Sequence, residues 1–78
     1  MLYPEVVIYT QPGCPPCGTA KEFLTKHEVP FEEKNIRENP EHIQTLQQLG
    51  SKSTPTTVIG DEVIIGFDRD RFEELLNL

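Results

Sequence analysis

The sequence predicts a small α/β protein of order strand–helix–strand–helix–strand–strand–helix, a four-stranded mixed sheet flanked by three helices. Three observations predict it. Short apolar, β-branched runs at Val6–Tyr9 and Val63–Ile65 are separated by stretches whose apolar residues recur every three or four positions. Chain-breaking residues (Pro12-Gly13, Pro30, Gly50, Gly60-Asp61) fall between these stretches. The leading strand–helix–strand unit demands a parallel pair with a right-handed crossover, whereas Gly60-Asp61 between two short strands marks an antiparallel hairpin. A chain of 78 residues with no repeat and no low-complexity tract is read as one domain, residues 1–78.

Residues 5–10 read as a buried strand that stops at Gln11-Pro12-Gly13. A helix follows, with Cys17, Ala20, Leu24 and His27 on one face and Lys21, Glu22, Thr25, Lys26 and Glu28 on the other. Pro16 disfavours a helical conformation at Pro15, so this helix is expected to begin late, and Pro30 to end it. Residues 31–36 alternate weakly as a second strand. The next helix is well signposted: Asn39 suits the N-cap, Pro40 the first helical position, Glu41 the positive end of the dipole and Gly50 the stop. Ile43, Leu46 and Leu49 are its expected buried stripe. Residues 51–55 form a loop, 56–59 and 62–65 are hairpin strands, and Asp68 caps a last helix facing inward through Phe72, Leu75 and Leu76.

Composition narrows the function. Charged residues at 26% and hydrophobic ones at 36% describe a globular chain rather than a disordered one. Thirteen acidic against seven basic residues give a net charge of −6, which opposes binding to nucleic acid or to an anionic membrane. The apolar runs are too short to span a bilayer. The opening Met1-Leu2-Tyr3-Pro4-Glu5 has neither the basic nor the apolar region of a leader, so a cytoplasmic location is expected. A monomer is expected as well.

Chemistry concentrates in Gly13-Cys14-Pro15-Pro16-Cys17, which holds both cysteines of the chain. As a structural staple the pair is weak, since a loop of about four residues gains only about 2 kcal/mol and a reducing compartment opposes it. Its location says more. Amides at a helix start lack internal partners and favour a thiolate placed there. Neither Pro15 nor Pro16 has an N–H, so the first donors available to Cys14 are the amides of Cys17 and Gly18. Cys17 lies on the inward stripe and Cys14 ahead of it, exposed. An open nucleophile with a shielded neighbour is what two-step disulfide exchange requires. Lowering a thiol pKa from ~8.5 to ~6.5 raises its thiolate fraction at neutral pH roughly 25-fold but costs about tenfold in intrinsic nucleophilicity, a net gain of a few-fold.

The chain resembles the glutaredoxin family of the thioredoxin superfamily, in particular its short members of the NrdH type. The carrying residues are Val7-Ile8-Tyr9-Thr10 leading into the dithiol, Ala20-Lys21, Ser53-Thr54-Pro55-Thr56 and Ile65-Gly66-Phe67-Asp68. The resemblance implies Cys14 as nucleophile and Cys17 as resolving thiol. It implies a cis bond at Thr54-Pro55 opposite the dithiol, with the Thr54 backbone free to pair with an extended substrate; a strand-initiating Pro55 is the simpler alternative. Gln11, Pro15, Pro16, Lys52, Thr54, Gly66, Phe67 and Asp68 are then the expected rim of a substrate or glutathione groove, with Phe67 an apolar contact for partners. Glutathione-using members usually carry Lys or Arg where this chain has Gln11, and Tyr where it has Pro16. Asp68 and Lys52 remain available for an amino group and a carboxylate of that ligand. The implied reductant is therefore thioredoxin reductase, with glutathione as the alternative. The implied recipient is ribonucleotide reductase or another intracellular disulfide enzyme, and no cofactor is expected beyond a redox-active Cys14–Cys17 disulfide.

Other chemistries fit less well. A structural zinc site needs four ligands, and His27 lies ten residues past Cys17, about 15 Å along a helix. That distance also defeats a Cys–His hydrolase, and nothing in the sequence gives His42 a role. A copper carrier of the strand–Cys-X-X-Cys–helix type usually has Met where Pro12 stands and ends in a strand, whereas residues 69–78 read as a helix. Lys21 matches a family lysine and equally suits a solvated helix face.

Overall fold

The computed structural model describes residues 3–78; Met1 and Leu2, which begin the segment read above as lacking a leader, lie outside the described residues. The elements are β1 (Val6–Thr10), α1 (Pro15–Lys26), β2 (Glu32–Asn35), α2 (Pro40–Gln48), β3 (Thr56–Ile59), β4 (Glu62–Ile65) and α3 (Arg69–Leu76). The sheet order is β2-β1-β3-β4. β1 and β2 are parallel, with Val7 opposite Glu32, and the β1–β3 and β3–β4 pairs are antiparallel, with Tyr9 opposite Thr56 and Thr56 opposite Ile65. This is the four-stranded mixed sheet with three helices expected from the sequence.

Strand parity divides the core. Val6 and Ile8 point to one face with Ile59 and Ile64, and onto them pack Ala20 and Leu24 of α1, Val29, and Phe72 and Leu76 of α3. Full burial of a side chain such as Phe72, Leu24 or Ile8 contributes roughly 1.5–3 kcal/mol. Tyr9, on the other parity, meets His42 of α2 edge to face at 6.4 Å between ring centroids. Val63 and Ile65 of the edge strand stay open on that second face, Ile65 being 54% exposed.

The structure departs from the sequence reading in three places. α1 does not start late: Cys14 is its N-cap and Pro15 and Pro16 are its first two residues. A fixed φ and a missing N–H cost nothing in a first turn, and this outweighs the steric restriction on Pro15. The helix also closes before Pro30. Glu28 turns left-handed at φ 59° and the Val29 amide returns to the Leu24 carbonyl at 2.9 Å. In α2 the buried stripe is rotated by one residue. Leu46 is buried, His42, Thr45 and Leu49 are half-buried, and Ile43 is 39% exposed. The imidazole of His42 takes the place against Tyr9 that an apolar count assigns to Ile43.

The capping signals operate as read. Asn39 accepts the Glu41 amide at 3.0 Å, Asp68 accepts the Arg71 amide at 3.2 Å, and Gly50 follows α2 at φ 85°.

Candidate active site

β1 runs toward α1 through Gln11-Pro12-Gly13, with Gly13 at φ 72°, and delivers Cys14 to the helix N-terminus. Cys14 and Cys17 are joined as a disulfide with Cα atoms 5.3 Å apart. The Cys17 amide donates to Cys14 Sγ at 3.2 Å and to the Cys14 carbonyl at 3.0 Å. The Gly18 amide goes to that carbonyl at 3.3 Å. Of the two amides expected to serve the sulfur, that of Cys17 does so while shared with the Cys14 carbonyl, and that of Gly18 bonds to the carbonyl alone. Cys17 is 3% exposed and Cys14 half-buried.

Opposite stands the segment before β3. The Thr54–Pro55 bond is cis and Pro55 is buried. Thr54 Oγ1 donates to Cys14 Sγ at 3.6 Å and accepts from Gln11 Nε2 at 3.0 Å. The Pro55 carbonyl accepts the Gly66 amide at 2.8 Å, which brings the end of β4 to the same wall.

Two polar clusters that hold this wall escaped the sequence reading. Ser51 is 2% exposed and Thr56 fully buried, with hydroxyl oxygens 2.7 Å apart. Thr56 donates to the Ser53 carbonyl at 2.7 Å and the Ser53 amide to Ser51 at 3.3 Å. The Ser51 hydroxyl also lies 3.2 Å from the Ser53 carbonyl, so its single proton serves either that carbonyl or Thr56. The second cluster lies at the end of β1. Thr10, 2% exposed, donates to Glu33 Oε2 at 2.7 Å, and Lys21 Nζ reaches the same oxygen at 3.0 Å. The Thr10 hydrogen bond first, and that of Lys21 second, hold the Glu33 carboxyl below its ordinary value. Lys21 is thus an ion-pair partner of β2. The only forward signal for either cluster was polar residues at inward strand positions.

The remaining predicted groove residues scatter. Pro15 and Pro16 are exposed on the first turn of α1. Phe67 is half-buried and packs at 5.6 Å on Phe23 and 5.2 Å on Phe72, so its ring completes the α1/α3 core face. The shallow groove it lines also includes Phe23, His27 and Arg69 but no residue of the dithiol motif. Asp68 is engaged as the cap of α3, and Lys52 lies by Gln47, Gly50 and Ser51. His27 stacks on Phe23 at 4.5 Å. No cluster of three or more His, Cys, Asp or Glu side chains suited to a metal occurs among the described residues.

Comparison with known proteins agrees with this geometry. The glutaredoxin family model matches residues 6–64. The glutaredoxin-like protein NrdH of Lactococcus lactis subsp. lactis (strain IL1403) is 32% identical over 62 residues, covering 80% of this chain and 86% of that protein. The crystal structure of the thioredoxin-like protein BC3987 superposes with a TM-score of 0.88 at 40% identity, over 92% of this chain and all of the other. The glutaredoxin-like NrdH-redoxin of Escherichia coli, whose structure is described as the basis of a thioredoxin-like activity profile, gives 0.85 at 28% identity over 91% and 93% of the two chains. The chain carries the dithiol at the helix start that disulfide exchange uses, and it belongs to the glutaredoxin family of thiol–disulfide oxidoreductases.

Proposed function

We propose that this oxidoreductase reduces protein disulfides, with Cys14 as nucleophile and Cys17 as resolving thiol, and that thioredoxin reductase restores the dithiol. The asymmetry of the pair carries the reading. Cys14 Sγ caps a helix and accepts an amide, whereas Cys17 is shielded behind it. The Cys14 thiolate attacks one sulfur of the substrate disulfide and the other sulfur departs as a thiolate. Deprotonated Cys17 then attacks Cys14 Sγ, which forms the Cys14–Cys17 bond and expels the remaining substrate sulfur. Two electrons pass to the substrate, and its two thiolates take up protons.

Three features favour thioredoxin reductase over glutathione as the electron source. Gln11, in the place of a cation, is bound to Thr54. Pro16 supplies no hydroxyl, and Asp68 is occupied in capping α3. Loss of a charge-assisted carboxylate contact is worth roughly 1.5–3 kcal/mol, or some tenfold to hundredfold in affinity. The thioredoxin-like activity profile named for the E. coli NrdH-redoxin points the same way. A protein substrate would lie as an extended segment against Thr54 and Pro55, within reach of the exposed Ile65. Ribonucleotide reductase is the proposed recipient, by family, and the protein acts as a single-domain cytoplasmic monomer.

Roles and electron source are tested separately. Cys17→Ser should accumulate mixed disulfides through Cys14, and Cys14→Ser should form none; equal trapping by both variants contradicts the assignment. The oxidised protein is then given NADPH with thioredoxin reductase, or NADPH with glutathione and glutathione reductase. Faster NADPH consumption is expected in the first mixture. Efficient turnover only in the second would make it a glutathione-dependent enzyme.

A further inference from the structure

The β1–β3 register reads Val6–Ile59, Val7–Val58, Ile8–Thr57 and Tyr9–Thr56. Continued two residues beyond the last pair, it sets Gln11 opposite Thr54, and there the two side chains meet, Nε2 to Oγ1, at 3.0 Å. Thr54 Oγ1 is at the same time 3.6 Å from Cys14 Sγ. A threonine hydroxyl has one proton, and its direction decides whether the sulfur receives a hydrogen bond. With an amide N–H of Gln11 engaging the oxygen, the proton is left to the sulfur. The reversed amide would present a carbonyl oxygen to Thr54 and draw the proton away from Cys14.

We infer that Gln11 is a positioning residue that aims the Thr54 hydroxyl proton at Cys14 and thereby sets the ionisation and reactivity of that thiol. Donation into Oγ1 also polarises the O–H bond, so the hydroxyl is a stronger donor than an unaided threonine. A thiolate accepts such a bond more strongly than a thiol or a disulfide, so the contact favours the ionised, reduced form of Cys14. Gln11 acts only through Thr54 and needs no contact with substrate. The inference deepens the proposed role of Cys14 as nucleophile and rests on it, but its test involves no protein substrate and no reductase.

The test follows the reduced protein, with Cys14 ionisation read from thiolate ultraviolet absorbance and from the pH profile of alkylation by iodoacetamide. Gln11→Met keeps length and bulk while removing the N–H donor. It should move the midpoint of both curves upward by about half a pH unit or more, as expected from losing direction and polarisation in one bond to a charged acceptor. Thr54→Val should move it upward at least as far. In the Thr54→Val background Gln11→Met should add nothing, whereas in Thr54→Ser, which keeps a hydroxyl, its effect should return. Circular dichroism of each variant confirms that the fold is retained. An unchanged midpoint in Gln11→Met, or an equal shift with and without the Thr54 hydroxyl, overturns the inference. The mixed-disulfide trapping by Cys17→Ser stands or falls independently of it.

Discussion

Reduction of the Cys14–Cys17 disulfide is expected to destabilise the protein by about 2 kcal/mol at pH 5 and to leave it folded. The cysteines are three positions apart, so the disulfide closes a loop of only about four residues, for which the chain-entropy relation gives roughly 1.9 kcal/mol at 25 °C. Pro15 and Pro16 already restrict the unfolded loop, which makes that figure a ceiling. An unfolding entropy of about 2.1 cal/mol/K per residue converts it, for 78 residues, to a Tm difference of roughly 12 °C. Little else is lost on reduction. Cys17, 3% exposed in the disulfide form, is expected to stay a small buried hydrophobe, and its amide, 3.2 Å from Cys14 Sγ, is placed to cap the freed sulfur. The assay is a pair of thermal or denaturant melts, oxidised against dithiol-reduced, repeated from pH 5 to pH 8. A thiolate favoured in the folded state adds stability that is present at high pH and lost as pH falls, so the gap should narrow as pH rises. A gap above about 4 kcal/mol at pH 5, or a reduced chain that no longer folds, would make the bond a structural staple. A gap that widened with pH would refute the stabilising role given to the helix start.

Two further predictions concern the framework around the site. Thr57 is fully buried on β3 and its hydroxyl has no partner among the described residues, so Thr57→Val, nearly the same shape, should raise stability by about 1–2 kcal/mol in urea unfolding; a loss would show that the hydroxyl is satisfied in solution. Glu33, held below its ordinary value by Thr10 first and then by Lys21, contributes stability that is present above about pH 4.5 and is lost as pH falls through its folded value. The Lys21–Glu33 pair is more than one-third exposed on each side, so solvent screening limits Glu33→Gln to under about 1 kcal/mol at neutral pH. That difference from the native protein should shrink as pH falls below about 4.5 and disappear once Glu33 is protonated in the folded state, and a pH-independent difference would refute the ion-pair account.

What the sequence alone determined is what neighbours in the chain decide among themselves. The caps Asn39 and Asp68, the hairpin turn at Gly60-Asp61 and the placing of the dithiol at a strand-to-helix junction each depend on residues within about four positions. At the start of α1 the steric restriction on a residue before proline competes with the fit of proline to a first turn, and at Pro15 the second prevails. The tertiary structure decided the rest. It turned α2 so that His42, not Ile43, meets Tyr9, and folded Phe67 onto Phe23 and Phe72. It also joined Thr10 to Glu33 and Gln11 through Thr54 to Cys14, residues 23, 43 and 40 positions apart. Such partners are chosen by strand order and register, which the burial of the entire sheet fixes at once, because a slip of one residue would turn Ile8 and Thr10 outward and carry Gln11 away from Thr54.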